Sequence, residues 1–495
     1  MSSPQSLGEV PGGDSAAASG TASGSGRLRP KWPSWWPAAA KPSLDLIRIV
    51  AVWAIWLAVI CSFQIIVQAR LSPQRPDNTL SWTQYTTGQQ MLPGRPLLDD
   101  PNMNEHVKYD SEYYLSIATG GYNDPNAQAY NFSGQHWSGI PILTPQQTEW
   151  TSLNYAFLPG YPFAMKPVIA VLTVVPFASD LTEYGRATLA GIIISALGGL
   201  LAMLALSRLM AYLGRRRRST SGDDADTTGS WGGPAGLRAA LYLLVFPTGF
   251  YLAQVYAEGL FIGLAFMACA LAVEKKVVLA SVFAVGAALV RPAGVFLVLP
   301  LAWSVFQSLR ETGFRPKDWR IVASGVAALA PVVAFLLWFT SILGTTFMTV
   351  DKEFFNRTFD IQGSWNTWVA AFESMIQGVD KTGTGAYGGG PLPPESSVYL
   401  FFEFFAMAVA LLGTIWLIRK MPGVAIFGLA VLVFSFGASA GSPNGMDRYV
   451  LGVPAIFLMV AWFGRHPVFD RTWVLASTLV MGMMVMLFTF GFWVA

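Results

Sequence analysis

Apolar runs of about 14 to 27 residues, parted by short polar or proline-bearing breaks, recur along most of this chain. They lie at about 44–68, 187–213, 320–342, 397–418, 422–440, 449–464 and 472–494, with shorter ones at about 237–252, 256–273, 277–290 and 293–309. Runs of this length and apolarity predict helices that cross a bilayer, because only a helix satisfies its own backbone polar groups in lipid. The pattern therefore predicts an all-α polytopic membrane protein with about eleven transmembrane helices. Residues 1–40 are rich in Ser, Gly, Ala and Pro and read as a disordered cytoplasmic tail, with Trp32, Trp35 and Trp36 suited to a membrane interface. The remainder, 41–495, reads as one transmembrane domain interrupted by a long polar segment at 69–185, a linker at 214–236 and a second loop at 344–396.

Composition agrees with lipid as the solvent. Of 495 residues 53% are hydrophobic and only 12% are charged, about half the charge usage of a soluble domain. The net charge of +3 is small, and its one basic run, Arg215 to Arg218, abuts an apolar run, so nothing points to nucleic acid. Both cysteines, Cys61 and Cys269, fall inside apolar runs, which argues against a disulfide framework. The three histidines form no HExxH pattern, and no dedicated metal-ligand cluster can be read.

Charge asymmetry sets the orientation. Basic residues collect on the cytoplasmic side of membrane proteins. A cytoplasmic N-terminus and one crossing put 69–185 outside, and the next crossing brings Arg215 to Arg218 back inside. The apolar piece at 163–177 must then be interfacial or re-entrant, since a further crossing would strand those arginines outside. The same count leaves Lys275, Lys276, Arg310, Arg320, Arg419, Lys420, Arg465 and Arg471 inside, and places 344–396 on the outer face.

The outer segment carries the candidate chemistry. Tyr109-Asp110-Ser111-Glu112-Tyr113-Tyr114 puts two carboxylates among aromatic residues next to a membrane surface. On a helix, residues two apart point in different directions, so Asp110 and Glu112 are not a tight carboxylate pair. One carboxylate placed this way suits a general base; the alternative is a pair of charges that merely solvate a loop. Arg291 lies between two short apolar runs at the outer end, where a phosphate-binding cation and a snorkelling side chain are both open readings. Arg357 and Arg448 are similarly placed, and Glu258 is positioned to pair with one of these arginines or to sit at the interface.

Six short patterns in order resemble the PIG-V family, the second mannosyltransferase of glycosylphosphatidylinositol synthesis and its bacterial relatives. They are Tyr109-Asp110-Ser111 with Tyr113, Ile117-Ala118 and Gly121-Tyr122; Phe157 to Pro162, with Tyr161; Pro247-Thr248 with Tyr256-Ala257-Glu258; Arg291-Pro292-Ala293-Gly294; Phe354-Phe355-Asn356-Arg357; and Arg448-Tyr449. Tyr109 stands where that family has Trp. The resemblance implies a GT-C-like fold whose long first outer loop carries interfacial helices. It also implies a mannosyltransferase at the plasma membrane. The donor would be a polyprenyl-phosphate sugar, and the acceptor a lipid-linked or surface glycan on the outer face. Asp110 would be the catalytic base of an inverting single displacement. Tyr109, Glu112, Tyr113, Tyr122, Tyr161, Glu258, Arg291, Arg357, Arg448 and Tyr449 would bind substrate, and a divalent cation at the donor phosphate stays open. Rival readings are an arabinosyl- or protein O-mannosyltransferase of the same architecture, or a lipid or glycan transporter.

Three patterns are set aside. Asp224-Ala225-Asp226 resembles a nucleotide-sugar DxD but lies in a polar linker. Gly437-Ala438-Ser439-Ala440-Gly441 matches GxSxG without the strand-turn-helix setting that motif needs. The sequons at Asn131 and Asn356 matter only where exported loops are glycosylated.

Overall fold

A computed structural model of the chain describes residues 44–71, 100, 102–124, 127, 129–131, 135–137, 150–221, 232–313, 319–353, 358–381, 392, 394–440, 443–492 and 494. Asp45–Ala495 forms one compact unit. The expected tail at 1–40 and the Asp224–Asp226 pattern lie outside the described residues.

Helices of ten or more residues are α1 (Leu44–Leu71), α2 (Asp110–Thr119), α3 (Gly160–Val174), α4 (Glu183–Ser221), α5 (Gly233–Leu244), α6 (Glu258–Val273), α7 (Val277–Val290) and α8 (Val298–Glu311). They continue with α9 (Trp319–Ala328), α10 (Ala330–Phe339), α11 (Ile342–Glu353), α12 (Ile361–Gln377), α13 (Pro394–Leu417), α14 (Pro422–Gly437), α15 (Pro454–Phe463) and α16 (Pro467–Thr489). Among the described residues, six helical stretches are long and apolar enough to cross a membrane, and a seventh if Met446–Gly452 and Pro454–Phe463, bent by 84°, count as one span. Every apolar run read from the sequence falls on helix, but α6, α7 and α14 are shorter than a full crossing, and the run at 237–252 divides into α5 and a 3-10 turn at Gly249–Ala253. Short helices are tolerated at membrane depth where neighbours enclose their ends. The apolar piece expected at 163–177 is the 15-residue helix α3, also shorter than a span. The loop expected at 344–396 contains α12 and most of α11. The first long segment holds, besides α2, a small antiparallel sheet of order β2-β1-β3, with β1 Ala129–Asn131, β2 Gln135–Trp137 and β3 Trp150–Ser152.

Central α6 is apolar on every side and buried along nearly its whole length. It crosses α4 at a distance that only glycine permits. A Cβ on Gly198 would lie 2.3 Å from the carbonyl carbon of Gly259, and one on Gly263 would lie 2.4 Å from the Gly198 oxygen. In lipid, small residues four apart draw helices together because close backbone approach maximises dispersion contact. On α4, Ser195 Oγ also reaches the carbonyls of Tyr251 and Tyr256, each at 3.2 Å. The crossing thus fixes the start of α6, and with it Glu258, against the segment just before it. Outward faces carry exposed apolar residues such as Val322, Val326, Leu336 and Leu337, suited to lipid.

Basic residues gather at the far end of α6. Glu274 accepts from Arg208 Nε at 2.9 Å and pairs with Lys276 at 3.0 Å. Lys275 pairs with Glu311, and Arg216 donates to the Lys420 carbonyl. The orientation expected from the sequence places this end in the cytoplasm and the end that carries Asp110 outside. Asn123 and Arg310 are exposed near opposite ends of the helices. Cysteines placed there in a background lacking Cys61 and Cys269 are expected to react with a membrane-impermeant maleimide from opposite sides. Labelling of both from one side contradicts the orientation.

Candidate active site

Four segments far apart in sequence bring alternating charges together. Arg448 Nη1 donates to Asp110 Oδ2 at 3.1 Å. Its Nε lies 3.3 Å from Glu258 Oε1, an electrostatic contact rather than a directed hydrogen bond. Arg291 Nη2 donates to the same Glu258 oxygen. The order Asp110, Arg448, Glu258, Arg291 is a chain of opposite charges with a buried middle and open ends. The Arg448 and Glu258 side chains are 3% and 2% exposed, whereas those of Asp110 and Arg291 are 20% and 18% exposed. Buried ions persist only when paired. Glu258 Oε2 is buried with no hydrogen-bond partner among the described residues.

Aromatic rings enclose the two guanidiniums. Arg448 lies 5.6 Å from the Tyr251 ring centre and 5.5 Å from those of Tyr256 and Tyr449. Arg291 lies 5.6 Å from Tyr449 and 6.0 Å from Phe261. The negative ring faces attract the cations without adding formal charge.

Backbone geometry aims each member. Asp110 starts α2, where its carboxylate also meets the positive end of the helix dipole. Tyr109 before it has φ +50° and ψ −111°, strained for any residue with a side chain. The Tyr109 hydroxyl donates to the Gly491 carbonyl beyond α16, and the Tyr256 hydroxyl donates to the Lys108 carbonyl at 2.9 Å. Upstream, Gln64 Nε2 of α1 donates to the Glu105 carbonyl at 3.0 Å. His106 Nδ1 faces Ala253 O and Gln254 Oε1, both at 3.1 Å, so Nδ1 carries the proton. Arg291 ends α7 in extended conformation, before the 3-10 turn Pro292–Leu297. Arg448 belongs to the short helix Met446–Tyr449, whose preceding turn is clamped by Glu403 of α13. The Glu403 carboxylate accepts from Gly445 N at 2.7 Å and Asp447 N at 2.8 Å.

Several residues singled out in the sequence support this arrangement through packing. Tyr113 stacks on Phe157 at 4.7 Å, and Tyr114 meets Phe157 and Tyr161 edge-on. Burial, with the charge of Asp110 adding to it, pushes the Tyr113 and Tyr114 hydroxyls above their usual range. Tyr122 donates to the Phe157 carbonyl at 2.8 Å, and Tyr161 to the Gly191 carbonyl at 2.9 Å. Glu112 is fully buried while Asp110 is not, in line with the diverging directions expected of residues two apart. Arg357 lies outside the described residues. Ser439 of the GxSxG pattern accepts a hydrogen bond from Trp368 Nε1 at 2.8 Å, a packing role. Among the described residues, no group of three His, Cys, Asp or Glu side chains is placed to hold a metal. Sequence reasoning did not select Tyr251, Tyr256, His106, Gln254 or Glu403. The signal for Glu403 was available, since an acid inside an apolar run is functional or paired by default.

No protein-family model and no curated protein sequence matches the chain. Among solved structures it is similar to the archaeal oligosaccharyltransferase AglB from Archaeoglobus fulgidus in complex with an inhibitory peptide and a dolichol-phosphate. That similarity is at 12% identity and TM-score 0.38, over 90% of this chain and 56% of that one. It is also similar to the A. fulgidus oligosaccharyltransferase tethered to an acceptor peptide, at 11% identity and TM-score 0.39, over 90% of this chain and 55% of that one. The chain spans little more than half the length of these structures, and likeness at this level carries no functional weight.

Removing Arg448 leaves two carboxylates facing each other with no cation between them. Arg448→Met is expected to destabilise the protein by about 3–5 kcal/mol, the cost of breaking a buried pair. Adding Glu258→Gln to that variant is expected to recover part of the loss in thermal unfolding in detergent. A second expectation concerns pH. Burial pushes the His106 imidazole down to about 4 from 6.5. The unfolded chain takes up this proton at a higher pH than the fold does. The stability from neutral His106 is therefore complete above pH 6.5 and is lost as the pH falls toward 4, by roughly 3 kcal/mol. His106→Gln is expected to flatten that part of the stability profile between pH 7 and pH 5.

Proposed function

We propose that the chain is a GT-C-type membrane glycosyltransferase of the plasma membrane that moves mannose from a polyprenyl-phosphate donor to a lipid-linked or surface glycan on the outer face. The single observation that carries this reading is the ion-pair chain itself. It ends at one side in a partly exposed carboxylate and at the other in a partly exposed guanidinium, beside helices suited to lipid. A sugar phosphate transferred to a hydroxyl needs both: a base for the incoming oxygen and a cation for the leaving phosphate.

In this reading Asp110 accepts the proton of the acceptor hydroxyl as the acceptor oxygen attacks the anomeric carbon. The bond from that carbon to the phosphate oxygen breaks on the opposite face, so configuration inverts. The lipid phosphate leaves with the electron pair, and its charge is taken up by Arg291, whose planar fork suits phosphate oxygens. Arg448 holds Asp110 and Glu258 in place from between them. The proton on Asp110 leaves to water after product departs. The enzyme forms no covalent bond to sugar.

Supplying radiolabelled polyprenyl-phosphate mannose to membranes that contain the chain is expected to label glycan. Asp110→Asn is expected to lower the transfer rate at least about 100-fold, the low end of general-base effects, while the protein stays folded in the membrane. Arg291→Ala is expected to raise the donor KM more than it lowers kcat. Full transfer by Asp110→Asn removes that residue from the chemistry, and label that only crosses the membrane identifies a transporter.

A further inference from the structure

The far end of α6 carries a second concentration of charge. Ala272 and Val273 at that end line a small, partly open crevice bordered by the end of α4, by Pro300 to Gln307 of α8 and by the start of α14. Fourteen residues of helix separate it from Glu258, about 21 Å at 1.5 Å per residue. Two cations line it, Arg216 and Lys420, and among the described residues no Asp or Glu does. Lys420 Nζ sits 3.9 Å from the Trp416 ring centre and donates to the Trp416 carbonyl at 2.9 Å.

Two of the lining residues carry buried neutral donors. Ser304 is 2% exposed, and its Oγ has no hydrogen-bond partner among the described residues. The same holds for Trp303 Nε1. Both residues line the crevice. Buried polar groups left without partners are rare and call for an explanation, such as an ion or ligand that takes them up. The third source of positive potential is the start of α14, where Pro422, Gly423 and Val424 border the crevice. A helix N-terminus presents unsatisfied N–H groups and attracts anions. Gly423 allows this end to approach α8: a Cβ there would stand 3.0 Å from Trp303 and 3.1 Å from Pro300.

Two cations, two buried donors and a helix start in one crevice are the chemistry of a phosphate site. Its position at the basic ends of apolar helices selects a phosphate held at a membrane surface. We propose that this crevice binds the headgroup phosphate of an anionic lipid and that the bound lipid ties α4, α6, α8 and α14 together at the face opposite Asp110. The site does not depend on the transferase reading.

The test uses the purified full chain in neutral detergent, probed with phosphatidylglycerol, phosphatidylcholine or inorganic phosphate. Native mass spectrometry counts retained lipid and thermal unfolding reports stabilisation. Phosphatidylglycerol is expected to stay bound and to raise Tm, while phosphatidylcholine does neither. Arg216→Gln with Lys420→Gln is expected to weaken phosphatidylglycerol binding at least tenfold, and Asp110→Asn to leave it unchanged. Ser304→Ala, which removes the hydroxyl and adds no atoms, is expected to weaken it about threefold and covers the case in which the double variant does not fold. Equal retention by wild type and Ser304→Ala, or equal stabilisation by phosphatidylcholine, overturns the proposal. Saturation of the same effect by inorganic phosphate alone shows a free anion as the source and overturns the lipid assignment.

Discussion

The structure depends on the contact between Arg448 and its two carboxylates. A guanidinium 3% exposed in a largely apolar protein is affordable only because Asp110 and Glu258 flank it. Each of those acids in turn needs the arginine. The interdependence extends through Glu258 to Arg291, so segments near residues 110, 258, 291 and 448 must arrive together. Two of the four groups lie buried between the two partly exposed ends, a carboxylate and a guanidinium. Tyrosine rings around Arg448 add attraction without adding a third negative charge that would disturb the balance.

The framework makes room for this polar chain by breaking helices where it lies. Glu258 opens α6, Arg291 closes α7, Asp110 opens α2, and Arg448 sits in a single turn beside a bend of 84°. The 3-10 turns Gly249–Ala253, Pro292–Leu297 and Val450–Gly452 follow or precede these same residues. Irregular backbone at membrane depth is tolerated where protein surrounds it. The glycine-lined crossing of α4 and α6 is what brings the ends to one level, because it fixes where α6 begins. Glu403 repeats the logic one layer out, spending a buried carboxylate on two backbone N–H groups so that Arg448 points inward.

The two ends of α6 therefore contrast electrostatically. At Glu258 opposite charges alternate and their sum is near neutral, which leaves local fields strong and the long-range field weak. At Val273 cations outnumber anions in the crevice, and donors wait without acceptors. The first arrangement suits charge that develops during a reaction; the second suits an anion that stays.

Apolar run length, read from the sequence alone, determined the helical class and the place of the helices that can cross a membrane, but not α12, which lies in the stretch expected as a loop. Charge asymmetry set an expected orientation, and motif order nominated Asp110, Glu258, Arg291 and Arg448 individually. What the sequence left open was their association. Glu258 had two available fates, and Arg291 two more, since pairing across 33, 190 or 338 positions is not written in local pattern. Tertiary structure decided that all four form one chain, that Arg448 rather than Arg291 is its buried member, and that short helices stop where the chain passes. It also revealed Tyr251, Tyr256, Glu403 and the strained Tyr109, residues whose roles come from what stands opposite them. The reason is physical: solvation by lipid acts on each residue separately and can be read along a line, whereas an ion pair exists only between partners that folding has brought within a few ångströms.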